Sequence, residues 1–472
     1  MIFRLIAAEI QNKPGRAAFL LGGYALGVAV MVVLLSVGEA MLEQARDSTL
    51  VGGGDLVVVP AGISPEMLKA GGATSLFLGL DQARFLQQLV LESPRGREDY
   101  GVIASSPILD GKLVMVGAGG REVQALATGE IPSRAAAAGA SPRLLAGSWE
   151  DHDDDRRWVD PTSQELYSRI DRLHMPPPAA EGDSTWAEWH YFNVVLDADR
   201  WLYLTLSIDG RVGVPGEWGG QVLLTIRDAD GTHRSLTRGF VDTRVRFDTL
   251  SPDLRFGDQT QVLLREGQYL VKAAAGDSRV ELTVTPTPGR FFPTAQLGGP
   301  DLVSGYVVPA LHATAAGVVC LPRCEQINGK RSYHDHNWGI WRDVSWEWGA
   351  ASNERVSLLY GVVRGDSLQG ERLFAYVVDE RGARGLYRPN PVEILEVERR
   401  EVDGEFLEIP RRLGFTDSRR GLRATIEVTS AHATRLEREH WPWFIQMRGS
   451  VVVEESGRPA ERLEGFFETY LQ

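Results

Sequence analysis

The densest chemistry in the chain lies in seven consecutive residues, Tyr333-His334-Asp335-His336-Asn337-Trp338-Gly339. Two imidazoles, a carboxyl, a carboxamide, a phenol and an indole stand side by side. The flanks read as β-structure: Trp341, Val344, Trp346 and Trp348 follow, and another β-rich run begins at Val356. Successive side chains of a strand point to opposite faces. Tyr333, Asp335 and Asn337 are therefore expected on one face, and His334, His336 and Trp338 on the other. If the first face lines a cavity, it presents an acid between two hydrogen-bonding neighbours. The competing reading is a strut, in which Asp335 and Asn337 are buried and hydrogen-bonded across an interface.

On the second face, His334 and His336 have the His-x-His spacing of zinc ligands. A third ligand such as His190, His312 or Glu347 is not determined by spacing, so neither metal nor cofactor is expected. A second polar and aromatic cluster, Glu188-Trp189-His190-Tyr191-Phe192, opens an earlier β-rich stretch. His440-Trp441-Pro442-Trp443 reads as an edge-strand or turn cluster. Trp149-Glu150-Asp151-His152-Asp153-Asp154-Asp155 reads as a solvated charge run rather than a metal site. No Gly-rich phosphate loop and no Gly-x-Ser-x-Gly elbow accompany these residues.

The elements that must position these groups are mostly strands. β-type runs fall at 189–196, 201–208, 221–227, 243–247, 261–264, 269–273 and 280–285. Asp228-Ala229-Asp230-Gly231 signals a hairpin turn; it is no EF-hand loop, because its twelfth position is Gly239. A Pro- and Gly-rich joint (Pro286, Pro288, Gly289, Pro293, Gly298, Gly299, Pro300) then precedes further runs at 357–363, 372–378, 392–399, 422–429, 445–453 and 462–471. The expected class is mainly β, with one unit over 186–300 and another over 301–472, as sandwiches or barrels. Ahead of them, 80–91 reads as a helix, 101–103 and 112–116 as short strands, and 136–185 as a linker with a stiff Met175-Pro176-Pro177-Pro178 spacer.

Residues 17–37 form an uncharged apolar run long enough, at about 30 Å, to cross a bilayer core as a helix. Arg4, Lys13 and Arg16 precede it, while Glu39, Glu43 and Asp47 follow. That asymmetry predicts a single-pass inner-membrane anchor over 1–50, with the N-terminus cytoplasmic and the bulk of the chain periplasmic. The alternative is a cleaved signal peptide ending at Gly38-Glu39-Ala40.

At 472 residues the chain exceeds one ordinary domain, and 43% hydrophobic residues suffice for filled cores. A net charge of −13 excludes a nucleic-acid partner, which needs a basic footprint. Twelve Trp, most of them beyond Trp149, suit β-structure or a cavity for an apolar ligand. Cys320 and Cys324 supply too few thiolates for a zinc site; a local disulfide and free thiols both fit.

Two resemblances follow from these motifs. The Asn12-Lys13-Pro14-Gly15-Arg16 lead, the apolar span and Gly53-Gly54-Asp55-Leu56-Val57-Val58-Val59 resemble the start of an ABC-transporter permease of the FtsX/MacB type, over 1–135. That implies a small α/β extracytoplasmic segment over 51–135, although no second span of the needed length follows. Glu188-Trp189-His190-Tyr191 and Tyr333-x-Asp335-His336-x-x-Gly339 resemble the AttH-like and carotenoid 1,2-hydratase (hydroxyneurosporene synthase) family, over 160–472. His190 stands where that family has a second Trp. The resemblance implies two tandem lipocalin-like β-barrels and an aspartate, here Asp335, that protonates a carbon–carbon double bond before water adds. It assigns Tyr333 to the same catalytic face. It leaves Glu188, Trp189, His190, Tyr191, His334, His336, Asn337, Trp338, Trp346 and Trp348 as ligand-binding candidates.

The expected function is thus a membrane-tethered, lipocalin-like protein for a polyene or other lipid-like molecule, acting as a hydratase or isomerase. The alternative is a non-catalytic carrier or accessory that docks on ABC-transporter components.

Overall fold

The computed structural model describes residues 78–118, 121–140, 148–177, 180, 182–198, 200–227, 233–297, 304–320, 323–341, 344–365, 372–436 and 441–471, with fragments of the first 77 (14–15, 18, 22–24, 28, 30–31 and 57–59). Two compact units result, one of 1–78 and 104–151, the other of 79–103 and 152–472. In the first, the antiparallel hairpin of β1 (Ile108–Ala118) and β2 (Arg121–Glu130) pairs Leu113 with Leu126 and Val116 with Val123. The predicted strand at 112–116 lies within β1, whereas 101–103 is not a strand.

Most of the predicted membrane helix at 17–37, and the 53–56 part of the permease-like motif, lie outside the described residues. Among the described residues no helix is long and apolar enough to cross a membrane.

The second unit is built on two antiparallel sheets. The first contains β3 (Trp186–Val195), β4 (Trp201–Gly210), β5 (Trp218–Arg227), β6 (His233–Val241), β7 (Val245–Asp248), β8 (Asp253–Phe256), β9 (Thr260–Arg265), β10 (Gln268–Ala275), β11 (Ser278–Pro286), β12 (Phe292–Leu297), β13 (Ser304–Cys320) and β14 (Cys324–Ile340). Its spatial order is β6-β5-β4-β3-β14-β13-β11-β10-β9-β8-β7, with β12 beside β13. The sheet curls into a nearly closed barrel, because Phe240 of β6 meets Phe256 of β8 at 5.4 Å and Trp218 of β5 meets Phe247 of β7 at 6.2 Å.

The second sheet contains β15 (Val344–Ser352), β16 (Val356–Gly365), β17 (Phe374–Asp379), β18 (Gly382–Tyr387), β19 (Glu393–Val402), β20 (Glu405–Asp417), β21 (Leu422–Arg435), β22 (Trp443–Glu455) and β23 (Glu461–Leu471). Its order is β18-β17-β16-β15-β23-β22-β21-β20-β19. Tyr360 of β16 and Phe415 of β20 touch across its concave face, 4.9 Å apart.

The division between sheets falls after Ile340, not at 300. The Pro- and Gly-rich joint leads through the short β12 into β13 and β14, which both complete the first barrel. Seventeen-residue strands are long enough to close that barrel while their outer face meets the second sheet. The Cys320–Cys324 disulfide closes the β13–β14 hairpin. The turn at 228–232 lies outside the described residues, but Arg227 pairs with His233, as a hairpin requires.

The helix expected at 80–91 is present, and the stretch read as linker, 136–185, is partly helical as well. α1 (Leu80–Phe85) continues as a π-helical turn over Leu86–Leu91 and is followed by α2 (Pro94–Tyr100). α3 (Pro132–Ala137) belongs to the first unit, while α4 (Asp153–Val159) and α5 (Ser163–Ile170) belong to the second. α1 packs beside the second sheet through Phe85, which meets Tyr376 of β17 at 5.7 Å and Phe291, just before β12, at 5.8 Å. In α4 the acidic run occupies the helix N-terminus, where exposed Asp153 pairs with Arg156 and carboxylates suit the dipole.

α5 begins at a capping box, Thr162 and Glu165, and buries Tyr167 and Ile170 against the first barrel. Burial of each such side chain contributes about 1.5–3 kcal/mol. Gly267, at φ 76°, lets the β9–β10 turn receive the helix; a Cβ there would lie 2.5 Å from that of Ser163. The chain leaving α5 therefore enters the barrel directly.

Candidate functional site

β14 lies between β3 and β13 in the first barrel, and its outer face packs on the second sheet. Both faces of its central segment are consequently buried, and the alternation expected of residues 333–338 separates two polar sites.

The outer face carries Tyr333, Asp335 and Asn337. The Tyr333 hydroxyl donates to Asp335 Oδ2 at 2.8 Å, and the Asn337 amide donates to Asp335 Oδ1 at 2.8 Å. Trp348 on β15 donates its indole N–H to the Tyr333 oxygen at 3.2 Å. Phe466 on β23 stands edge-on to Tyr333 at 4.9 Å, and Tyr191 lies 5.8 Å from Phe466. Burial pushes Asp335 up to about 7, against the pull of the Tyr333 hydrogen bond and with help from the Glu468 charge. Tyr333 also lines a small cleft between the sheets, walled by Val195, Trp201, Leu311 and Phe466, with Arg331, Arg448 and Glu464 among its polar residues.

The inner face carries His334, His336 and Trp338. Register places His336 opposite His190, His334 opposite Phe192 and Trp338 opposite Glu188, so Glu188 and His190 point into the same barrel. Asp171, the residue after α5, enters between them. Asp171 Oδ2 lies 3.0 Å from His334 Nε2, and Oδ1 lies 2.8 Å from His336 Nδ1. His336 Nε2 faces Glu188 Oε1 at 3.0 Å. Glu188 also accepts the backbone N–H of His174 at 2.5 Å and of Met175 at 2.9 Å. The His174 ring stacks on Trp338, 3.4 Å away.

Asp171, Glu188, His190, His334 and His336 are all fully buried. Burial opposes charge on His336, yet hydrogen bonds to Asp171 and Glu188 raise it to about 9. Burial likewise opposes ionisation of Glu188, but hydrogen bonds from His174 and His336 hold it down at about 2. Asp171 is held well below the usual carboxylate range by His334 and His336, again against burial. His190 is pushed well below its ordinary value by burial and by the neighbouring His336.

The sequence candidates thus divide. Tyr333, Asp335, Asn337, Tyr191 and Trp348 gather on the outer face. His334, His336, Trp338, Glu188 and His190 gather inside the barrel. Trp189 packs on Trp341 at 5.2 Å, and Trp346 donates to Glu468 at 2.9 Å among Phe444 and Tyr470, so Trp346 does not face Asp335. Of the third-ligand candidates, only His190 reaches the histidine pair; His312 bonds Thr287, and Glu347 bonds Arg364 and Thr469. His440 lies outside the described residues, and Trp443 is a core side chain.

Asp171 and His174 were missed because they fall in the stretch read as linker. The capping box Thr162-x-x-Glu165 is the signal that marks a helix there and the chain's entry into the barrel.

No protein-family model matches this chain, and no curated protein matches it. Among solved structures, a candidate AttH from Nitrosomonas europaea is similar at 14% identity and a TM-score of 0.47, over 64% of this chain and 98% of that one. Kievitone hydratase from Nectria haematococca is similar at 9% identity and a TM-score of 0.44, over 64% and 94%. CghA in complex with Sch210972 is similar at 13% identity and a TM-score of 0.42, over 61% and 89%.

Proposed function

We propose that this protein holds an apolar small molecule in the cleft between its sheets and protonates it, with Asp335 as the acid. The observation that carries this reading is a buried carboxyl joined by a hydrogen bond to Tyr333, which itself lines the cleft. A carboxyl whose environment opposes ionisation retains a proton to give near neutral pH. Tyr333 relays it once their shared hydrogen bond is reversed, so that the Asp335 O–H donates to the phenol oxygen: the phenol gives its proton to an alkene carbon and takes one from Asp335. Water then adds at the cationic carbon, and its surplus proton returns to the carboxylate, which completes a hydration. Loss of a neighbouring C–H proton instead completes an isomerisation. The rings of Trp201 and Phe466, which line the cleft, are the aromatic groups beside the transient cation. The motif Tyr333-x-Asp335-His336-x-x-Gly339 supports the same chemistry through its resemblance to the carotenoid 1,2-hydratases.

In this proposal residues 17–37 anchor the chain, and both sheets stand outside the cytoplasm. A reporter active only in the cytoplasm, fused after Gly147, is expected to stay silent; strong activity overturns the orientation. The catalytic reading is tested by mass spectrometry of apolar compounds that copurify with the full chain, followed by turnover of the recovered compound. Asp335→Asn should retain the compound yet lose turnover by at least roughly 10²-fold. Retention with unchanged turnover would end the assignment of Asp335 as the acid, and retention with no turnover in the wild type would leave a carrier.

A further inference from the structure

The cluster inside the first barrel is not used by the chemistry proposed for Asp335, which lies on the opposite face of β14. Asp171, His190 and His336 each direct one potential ligand atom to a common point, and these atoms lie within 4.8 Å of one another. His190 Nδ1 stands 3.8 Å from Asp171 Oδ1, and His336 Nδ1 stands 2.8 Å from the same oxygen. Ligand atoms of a tetrahedral zinc site are about 3.3 Å apart, given bonds of about 2.0–2.1 Å. One separation need open and the other close by only about half an ångström to meet that geometry.

His190 supplies the second, independent observation. It is fully buried, and neither of its ring nitrogens has a hydrogen-bond partner among the described residues. A neutral imidazole offers one donor and one acceptor, and leaving either bare in a closed interior is unfavourable. A cation at the common point takes the Nδ1 lone pair. His336 completes the pattern, since its Nε2 faces Glu188 Oε1 at 3.0 Å. That is the carboxylate–imidazole–metal arrangement in which an outer acid fixes the ring tautomer. Glu188 is itself held by two backbone N–H groups. Two imidazoles, one carboxylate and no thiolate suit zinc or a similar divalent transition metal better than calcium or magnesium.

The geometry points to a divalent transition-metal site inside the first barrel, with Asp171, His190 and His336 as ligands and Glu188 as the acid that orients His336. A second group, His174, Glu188 and His336, also clusters, but its carboxylate is already engaged by those backbone donors. A fully enclosed site takes its metal during folding, so the ion acts as a staple tying the end of α5 to β3 and β14.

The test uses the full chain, unfolded in chelator and refolded with Zn(II) alone, with Co(II) as an absorbing substitute. Expected are one equivalent of zinc per chain, a rise in melting temperature on its addition, and visible Co(II) bands of a nitrogen–oxygen site. His190→Gln and Asp171→Asn should weaken zinc at least about tenfold, and Glu188→Gln by about 10–100-fold. His174→Ala should bind as wild type does. Circular dichroism and a cooperative melt show which variants fold, and the Co(II) spectrum of the wild-type chain needs no variant. A wild-type chain that neither retains nor binds zinc, or a folded His190→Gln variant with unchanged affinity, overturns the site. Loss of binding in His174→Ala alone overturns this choice of ligands.

Discussion

Asp335 and His336 are neighbours in the chain and face opposite electrical environments. The Asp335 carboxyl is buried, and so are those of Asp171 and Glu188; burial opposes ionisation in all three, yet only Asp335 ends above the usual carboxylate range. Asp335 accepts from two neutral donors, Tyr333 and Asn337, and is pushed up to about 7. Glu188 accepts from His336 and two backbone N–H groups and is held at about 2. The lesson is that depth alone does not decide whether a buried carboxyl keeps its proton; the charge of its partners does. One strand with a period of two thereby separates a neutral acid beside a cleft from an ionised network inside a barrel.

The largest effect is expected on the inner face. Asp171→Asn removes the charge shared by His334 and His336, and loss of one partner from a buried ionic cluster costs about 3–5 kcal/mol. Denaturant unfolding in the presence of chelator measures this without any contribution from a bound metal. A loss below about 1 kcal/mol, the scale of an exposed pair, would show that the inner network is loosely held.

Tyr333→Phe comes next. It leaves the Trp348 N–H and Asp335 Oδ2 without their partner, for an expected loss of about 1–3 kcal/mol. Turnover should fall further than stability does, because the same hydroxyl is the proposed relay. Equal stability in wild type and variant would mean that water already occupies this face.

How much of this was legible depends on where each signal lies. The alternation of residues 333–338 was readable because a strand leaves no freedom in it, and the structure separates Tyr333, Asp335 and Asn337 from His334, His336 and Trp338 as that period requires. The partners across the fold were not readable. Asp171 reaches His334 over 163 positions, and no local pattern encodes such a contact. The sheet boundary was misplaced because Pro and Gly between 286 and 300 mark turns, and a turn does not reveal whether the next strand joins the same sheet. Trp346 and Trp348 share a face of β15, but only Trp348 bonds Tyr333, a distinction set by packing on β14 and β23.

A smaller effect comes from His312, a buried imidazole that bonds the Thr287 hydroxyl. Burial pushes it down to about 4, with the nearby Arg290 charge adding to the shift. The neutral form is favoured in the fold, so its contribution is complete above about pH 6.5. It declines as pH falls from there toward 4, because the unfolded chain takes up the proton first. His312→Gln should flatten the stability profile between those values, as followed by urea unfolding at several pH values. An unchanged slope would mean that His312 is solvated in the native state.

The most direct measurement makes the same change, acid to amide, on the two faces of β14. Melting temperatures of wild type, Asp335→Asn and Asp171→Asn are compared at pH 8 in chelator, with no substrate needed. At that pH the wild-type fold carries the penalty of an Asp335 that resists ionisation, and the amide removes it. The expected result is an Asp335→Asn chain that melts with or above wild type, while Asp171→Asn melts several degrees lower, as about 3–5 kcal/mol implies. An Asp335→Asn chain that falls as far as Asp171→Asn would make Asp335 an ionised strut and end its assignment as the acid.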